Sequence, residues 1–509
     1  MWFLSRLPAR SLVFAVLAAC SLALVAAAQA PMNWTAEQDQ ANMMKQLGIT
    51  KLRPARDSNP ASPNYANYDE SKANPYPDIP DALVMNDGRK VMSAAMWWKE
   101  RRPQLVDMFE KYVYGRVPEN LPKIHWTAVE DHEHIGFTPV DVKDLIGTVD
   151  NTSDPDISVK IHMTLVLPAN VKGPIPVLIM FGRAGFPNPS EPNSEEMAKV
   201  DQTWKDLLIK QDPSLKDVFA KYPAWHLAKE TPFHFPQLNA DGDFPNDWQL
   251  VGAGWGYVLL DPASVQADNG AGLTRGIIGL ANHGQPRKPD QWGALRAWAW
   301  GASRALDYLE TVPQVDSKHV GIDGVSRYGK AALVTMAFDQ RFAMVLVGSS
   351  GKGGATLFRR NYGEAVENLT GGEYYWMAGN FMKYGAEKAS FGSMNPGDLP
   401  VDSNELIALC APRLTFISYG NPEKGDAHWL DHLGGYRATV AASPVFELLG
   451  AKGLGVHQDY HTAEMPPMNE GLLSGHLAWR QHDGGHTDAP NMKWFIQWVD
   501  ENIDYKPTH

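Results

Sequence analysis

The sequence predicts an α/β protein: a mostly parallel β-sheet covered by helices on both faces, a three-layer sandwich. Three observations predict it. Short apolar runs rich in Val, Ile and Leu alternate with longer stretches of helical spacing, the pattern of βαβ units. Several of those runs end in Gly or another small residue, where an open parallel sheet puts its ligand site. No clear linker divides the 509-residue chain after about residue 100, which favours one large decorated domain over several.

Residues 1–28 read as a signal peptide. Arg6 and Arg10 precede the apolar run "SLVFAVLAACSLALVAAA", and small residues follow at Ala26 and Ala28. Cleavage is expected after Ala28, since a cut after Ala30 would leave Pro31 at the new terminus. "LAAC", ending at Cys20, also matches a lipoprotein box, but the apolar run continues past it, so lipidation is the less favoured expectation. The protein is expected to be exported, periplasmic or secreted. No later run approaches the ~18 apolar residues of a membrane span. Residues 29–90 are rich in Pro, Asn and Asp and read as an extended arm without regular structure.

The rest, 91–509, reads as a single domain. "SAAMWWKERRPQLVDMFEKYVYG" has helical spacing up to Gly115. "ISVKIHMTLVLP", "IPVLIMFG" and "WGYVLLDP" are strand-like. The stretch 188–250 is too long for a βα loop and reads as an insertion with some helix, able to wall a site. "QWGALRAWAWGASRALDYLETV" is a helix with an Ala-rich face. "HVGIDGVS" then reads as strand, "KAALVTMAF" as helix, "FAMVLVGSSG" and "RLTFISYG" as strands. "APNMKWFIQWVDENI" closes the chain as a helix.

Net charge is −12, which argues against nucleic acid and anionic membranes as partners. Cys410 is the one cysteine outside the leader, so no internal disulfide is expected and the core must carry stability. The 17 Trp and 17 Tyr suit a protein that stacks on sugars, and equally one that uses them for packing. "DHEHIG" (Asp131 to His134) and "HQDYH" (His457, His461) lack further ligands at a recognisable spacing. No metal and no cofactor is expected, and the protein is expected to be a monomer.

The chemistry points to "GIDGVSRYGK". A strand that turns sharply into a helix through Gly-x-Ser lifts the Ser above the sheet edge, over the free N–H groups and positive dipole end of the helix. That suits a nucleophile whose attack creates an oxyanion. Here the second glycine comes one place late: Gly324-Val325-Ser326-Arg327-Tyr328-Gly329. A base is expected late in the chain, and "RQHDGGHTDAP" offers His486, with His482 on the strand side of the Gly pair as the weaker choice. An acid is expected after a late strand. "NPEKGDAHWLD" offers Glu423, Asp426 and Asp431.

Gly-x-Ser-Arg-x-Gly-Lys resembles the nucleophile motif of the glucuronoyl esterases, carbohydrate esterase family fifteen. "WWKERRPQLVDMFEKYVYGRVP", "GGATLFRRNYGEAVENL" and "LCAPRLTFISYG" resemble further segments of that family. The resemblance implies the α/β-hydrolase fold, no cofactor, and cleavage of the ester between 4-O-methyl-glucuronic acid on xylan and a lignin alcohol. It implies Ser326 as nucleophile, His486 as base, and the N–H of Arg327 as oxyanion donor, its guanidinium beside it. It implies sugar-binding roles for Lys330, Glu364 and Trp429. Many members place the catalytic Glu just past the strand after the nucleophile. Here Ser349 stands there, so the acid is expected from the later loop, with Asp426 preferred over Asp431 and Glu423. The alternatives are an acetylxylan or general carboxylesterase on the same fold, and a carbohydrate-binding protein on a retired esterase scaffold.

Overall fold

The computed structural model describes residues 30–182, 194–223, 238 and 242–508. The expected signal peptide therefore lies outside the described residues, as do residues 188–193, 224–237 and 239–241 of the expected insertion. In chain order come α1 (Ala36–Leu47), β1 (Ile49–Leu52), a helical run over residues 94–114, β2 (Ile124–Ile135), β3 (Thr138–Val149), β4 (Lys160–Pro168), β5 (Ile175–Phe181), α2 (Ser194–Gln211) and β6 (Gly256–Leu260). Then follow α3 (Ala294–Leu309), β7 (Val315–Val325), α4 (Arg327–Phe338), β8 (Met344–Gly348), β9 (Ala386–Ala389), β10 (Leu414–Tyr419), α5 (His432–Leu448), β11 (Gly471–Leu472), β12 (Leu477–Gln481) and α6 (Ala489–Ile503).

A 10-stranded sheet has the order β11-β12-β10-β8-β7-β5-β6-β4-β3-β2. Its centre, β6 to β12, is parallel. The flanks β4, β3, β2 and β11 are antiparallel. Side chains alternate across the sheet. Val345, Val347 and Ile417 join the core under α3 and α4, with Ala297, Leu306, Leu333 and Val334. Their neighbours Met344, Leu346, Leu414 and Phe416 face the other way, onto Phe495, Trp498 and Val499 of α6. Strands buried on both faces read as continuous apolar runs, which is why they were visible in the sequence.

Two expectations need correction. The arm is not without regular structure. Thr35 caps α1 in a reciprocal box with Gln38, and Gly48 ends the helix at φ 68°. The signal T-A-E-Q was present in the sequence. β1 then pairs with β9 in a separate two-stranded sheet. The second correction is the long β2–β3 hairpin, which sequence reasoning did not anticipate. Its outer strand is mostly polar and exposed, so it lacks the apolar run that betrays a buried strand. The "DHEH" stretch is part of it. His132 sits opposite Asp141, and their side chains meet at 2.8 Å. Among the described residues no group of three or more His, Cys, Asp or Glu could hold a metal ion.

The insertion's described part contains α2, as expected. Whether it walls the site falls largely on residues outside the described set. No helix among the described residues is long and apolar enough to cross a membrane.

Candidate active site

β7 turns into α4 at Ser326, whose φ of 63° and ψ of −127° are unusual for a residue with a side chain. Backbone strain of this kind costs roughly 1–3 kcal/mol and persists only where surrounding structure enforces it. Here the Ser326 N–H donates to the Gly348 carbonyl at 2.9 Å, tying the turn to the end of β8. The two glycines are required by crowding. A Cβ on Gly324 would lie 2.4 Å from the Tyr328 carbonyl oxygen, and one on Gly329 would lie 2.5 Å from that of Gly348. The displaced second glycine thus does its work against the neighbouring strand. Ser326 is only partly buried, at the N-terminal end of a helix whose first N–H groups lack intrahelical partners.

β8, β10 and β12 end on the same edge of the sheet, being parallel to β7 and adjacent in turn. The loops after β10 and β12 meet backbone to backbone. The Asn421 N–H donates to Gly484 O at 2.7 Å, and a Cβ on Gly420 would lie 2.1 Å from Gly485 O. From the first loop comes Asp426, fully buried. Its Oδ1 accepts from His486 Nδ1 at 2.6 Å. Its Oδ2 accepts from the Gly420 N–H at 2.6 Å, Ser349 Oγ at 2.8 Å and His432 Nε2 at 3.0 Å. Burial pushes the Asp426 pKa up, but hydrogen bonds from His432, His486 and Ser349 outweigh it and hold the carboxyl well below its usual range.

An ionised carboxylate only accepts, so His486 carries its proton on Nδ1 and leaves Nε2 with a free lone pair. The ring is partly exposed while its carboxylate partner is not. This is the arrangement of a general base held in one tautomer. The loop carrying it reaches back to β8: a Cβ on Gly348 would lie 3.3 Å from Asp488 Cβ.

The other candidates lie elsewhere. Asp431 caps α5 and is held by Arg360 Nε at 2.9 Å. Glu423 is exposed beside His428. His482 is buried, with Nε2 donating to Thr487 O at 2.7 Å and Nδ1 accepting from Gly484 N at 3.0 Å. It pins the loop that presents His486.

On the other side of Ser326, the Arg327 guanidinium binds Asp268 and stacks 5.1 Å from the Trp376 ring centre. Trp376 Nε1 donates to the same carboxylate at 2.7 Å. Lys330, one helical turn past Ser326, is buried. Its Nζ donates to Ser350 O and Lys352 O, both at 2.6 Å, and to Glu364 at 3.1 Å. Its three protons are thus engaged within the protein. Glu364 also accepts from the Lys352 N–H at 2.8 Å, and its own N–H donates to Trp429 O at 2.8 Å. Lys330, Glu364 and Trp429 are therefore contiguous.

Sequence reasoning missed Asp268, Trp376 and His432, and two further carboxyls. Glu373 has a buried Oε2 without a partner among the described residues. Burial first, then neighbouring Glu364, raises its pKa to about 7. Asp323 on β7 is buried and hydrogen-bonded to Asp488. Burial first, then Asp488, raises its pKa well above the usual value. None of these five stands in a local motif, so only their spatial neighbours mark them.

A family model for fungal glucuronyl esterases matches residues 287–450. A CE15 glucuronoyl esterase from Teredinibacter turnerae T7901 is 38% identical with a TM-score of 0.75, over 92% of this chain and 100% of that one. The chain belongs to the glucuronoyl esterases of carbohydrate esterase family 15. The carbohydrate esterase MZ0003, from an unknown prokaryotic organism, is 28% identical over 87% of this chain and 93% of its own length. A 4-O-methyl-glucuronoyl methylesterase from Phanerochaete carnosa is 32% identical, but the match spans only 43% of this chain and 55% of that protein. The family's α/β-hydrolase fold accounts for the parallel sheet with its site at the carboxyl ends of the strands. The fungal similarity is concentrated in the half of the chain that holds Ser326.

Proposed function

We propose that the protein is a serine esterase that cleaves the ester between 4-O-methyl-glucuronic acid on glucuronoxylan and a lignin alcohol, through an acyl-enzyme. The observation that carries this is the 2.6 Å contact between Asp426 and His486 Nδ1 at the same sheet edge as the strained Ser326 turn. Family membership supports the substrate class, since relatives of this family are named for 4-O-methyl-glucuronate esters.

In the first step Ser326 Oγ attacks the ester carbonyl while His486 Nε2 takes its proton. The carbonyl oxygen becomes an oxyanion, met by the Arg327 N–H at the start of α4 and by the positive field of its guanidinium. The tetrahedral species collapses, the C–O bond to the alcohol breaks, and His486 returns the proton to the leaving oxygen. Water then repeats the sequence and releases the uronic acid. Asp426 holds the tautomer and stabilises the imidazolium formed in each half. Glu364, held in place by Lys330, and Trp429 grip the uronate ring away from the scissile bond, where binding energy supports selectivity for glucuronate over simple acetates. The apolar leader supports action outside the cytoplasm.

The test is Ser326→Ala assayed with benzyl glucuronate. Turnover is expected to fall by at least about 10³, leaving residual catalysis from the oxyanion site. Activity within a few-fold of wild type would exclude Ser326 as nucleophile. A wild type preferring acetylated xylan or nitrophenyl acetate would favour the acetylesterase reading.

A further inference from the structure

Beside the uronate subsite runs a row of aromatic rings that the reaction itself does not use. Tyr65 and Tyr68 come from the N-terminal arm, with ring centres 5.5 Å apart. Tyr68 meets Tyr362 edge-on at 5.6 Å and His428 at 6.4 Å. Tyr65 is 42% exposed, the His428 side chain 55%, and Tyr68 and Tyr362 are partly exposed. The arm is fastened here: the Gly363 N–H donates to Asn67 O at 2.9 Å, and Asn67 Nδ2 donates to Asn361 O at 2.6 Å.

The row is continuous with the site. His428 precedes Trp429, and Tyr362 stands two residues before Glu364, whose N–H is bound to Trp429 O. The charges beside it are already engaged. Arg360, which lies under Tyr362, is buried and paired with Asp431 and Glu70, and Glu423 meets His428 at the rim. Solvent-exposed tyrosine rings with polar tips are surfaces for flat ligands that are apolar on their faces and hydroxylated at their rims, which describes a neutral pyranose.

We propose that Tyr65, Tyr68, Tyr362 and His428 form a ledge that holds the xylan main chain. This rests on the function proposed above. The anomeric carbon of the uronate is joined through the ring oxygen to the carbon that bears the carboxyl, so the first xylose lies next to the ring that Glu364 and Trp429 are proposed to hold. A surface continuous with Glu364 and Trp429 is where the main chain would run, and Tyr362 and His428 connect the tyrosine row to those two residues. The arm thus makes the enzyme a reader of the polymer as well as of the uronate.

The probes are benzyl glucuronate and the benzyl ester of an aldouronic acid, the same uronate carried on a xylo-oligosaccharide. Tyr65→Ala, an exposed truncation, is expected to lower kcat/KM for the second ester by about five- to tenfold, the size of one aromatic contact. Benzyl glucuronate should be hydrolysed as before. No loss on the oligosaccharide ester, or an equal loss on both, overturns the proposal. So does a loss that follows the size of the aryl alcohol and ignores the sugar, which would make the ledge a leaving-group site. If wild type hydrolyses neither ester, the proposed activity is wrong. Calorimetric titration of the intact protein with unesterified aldouronic acid then decides the ledge alone: weaker binding by Tyr65→Ala supports it, and equal binding overturns it.

Discussion

Replacing Asp426 with Asn changes one atom, and the donors around that atom set the cost. Three of them converge on Oδ2: the Gly420 N–H, Ser349 Oγ and His432 Nε2. One donor, His486 Nδ1, meets Oδ1. An amide has one oxygen and one NH₂. With NH₂ in the Oδ2 place it would face the fixed Gly420 N–H, so the amide oxygen is expected to stay there. The NH₂ then faces His486 and forces Nδ1 to accept. The proton moves to Nε2, and the base is lost in its resting form. In a serine protease the same exchange costs about 10⁴ in turnover through the wrong tautomer. The His486 ring is 39% exposed, and a ring open to water can recover part of the population. The expected loss in kcat is therefore about 10² to 10⁴, measured with benzyl glucuronate. Stability gives a second signature. The Asp426 pKa is lowered on folding, so its contribution is present above the unfolded value of about 3.9 and is lost as pH falls below it. The wild type should melt higher than Asp426→Asn at pH 7, and the gap should close in acid. An Asn variant within about tenfold of wild-type kcat, with an unchanged pH–rate profile, would refute the argument.

Ser349→Ala removes one hydrogen bond to Asp426 in a fully buried setting, about 1 kcal/mol. A loss of roughly fivefold in kcat and a lower melting temperature are expected; an unaltered enzyme would show that His432 and Gly420 suffice to hold the carboxylate. Asp323→Asn keeps a neutral donor for Asp488. Since the Asp323 pKa is raised on folding, its contribution is full below about pH 3.9 and fades as pH rises through the folded value. The Asn variant should gain relative stability as pH rises, and parallel melting curves across pH would count against a raised Asp323 pKa in the folded protein. Glu373→Gln removes a group that titrates at about 7 near Arg327, Lys330, Glu364 and Asp268. Its anion opposes the oxyanion, so wild-type kcat/KM should fall relative to the variant as pH rises through 7. Coincident profiles would disconnect Glu373 from the site.

What the sequence determined by itself was local. The parallel strands were legible because burial on both faces requires continuous apolar runs, as in "IPVLIMFG" and "FAMVLVGSSG". The Gly-Val-Ser-Arg turn was legible because crowding at a strand-to-helix corner leaves a recognisable pattern of small residues. The order of Ser326, the acid loop and His486 could be anticipated because parallel strands deliver their ends to one edge. The β2–β3 hairpin escaped notice because a solvated strand has no apolar signature, and α1 because its capping box lay inside a Pro- and Asn-rich stretch. Tertiary structure alone decided which of Glu423, Asp426 and Asp431 stands beside His486. All three occupy one short loop, and their separate fates depend on contacts with Arg360, Ser349, His432 and His486, most of them far away in sequence. The same holds for Tyr65 and Tyr68. Nothing local distinguishes them from other surface tyrosines until the arm is laid against Tyr362 and His428, because a shared surface between distant segments is a property of packing and leaves no mark in either segment.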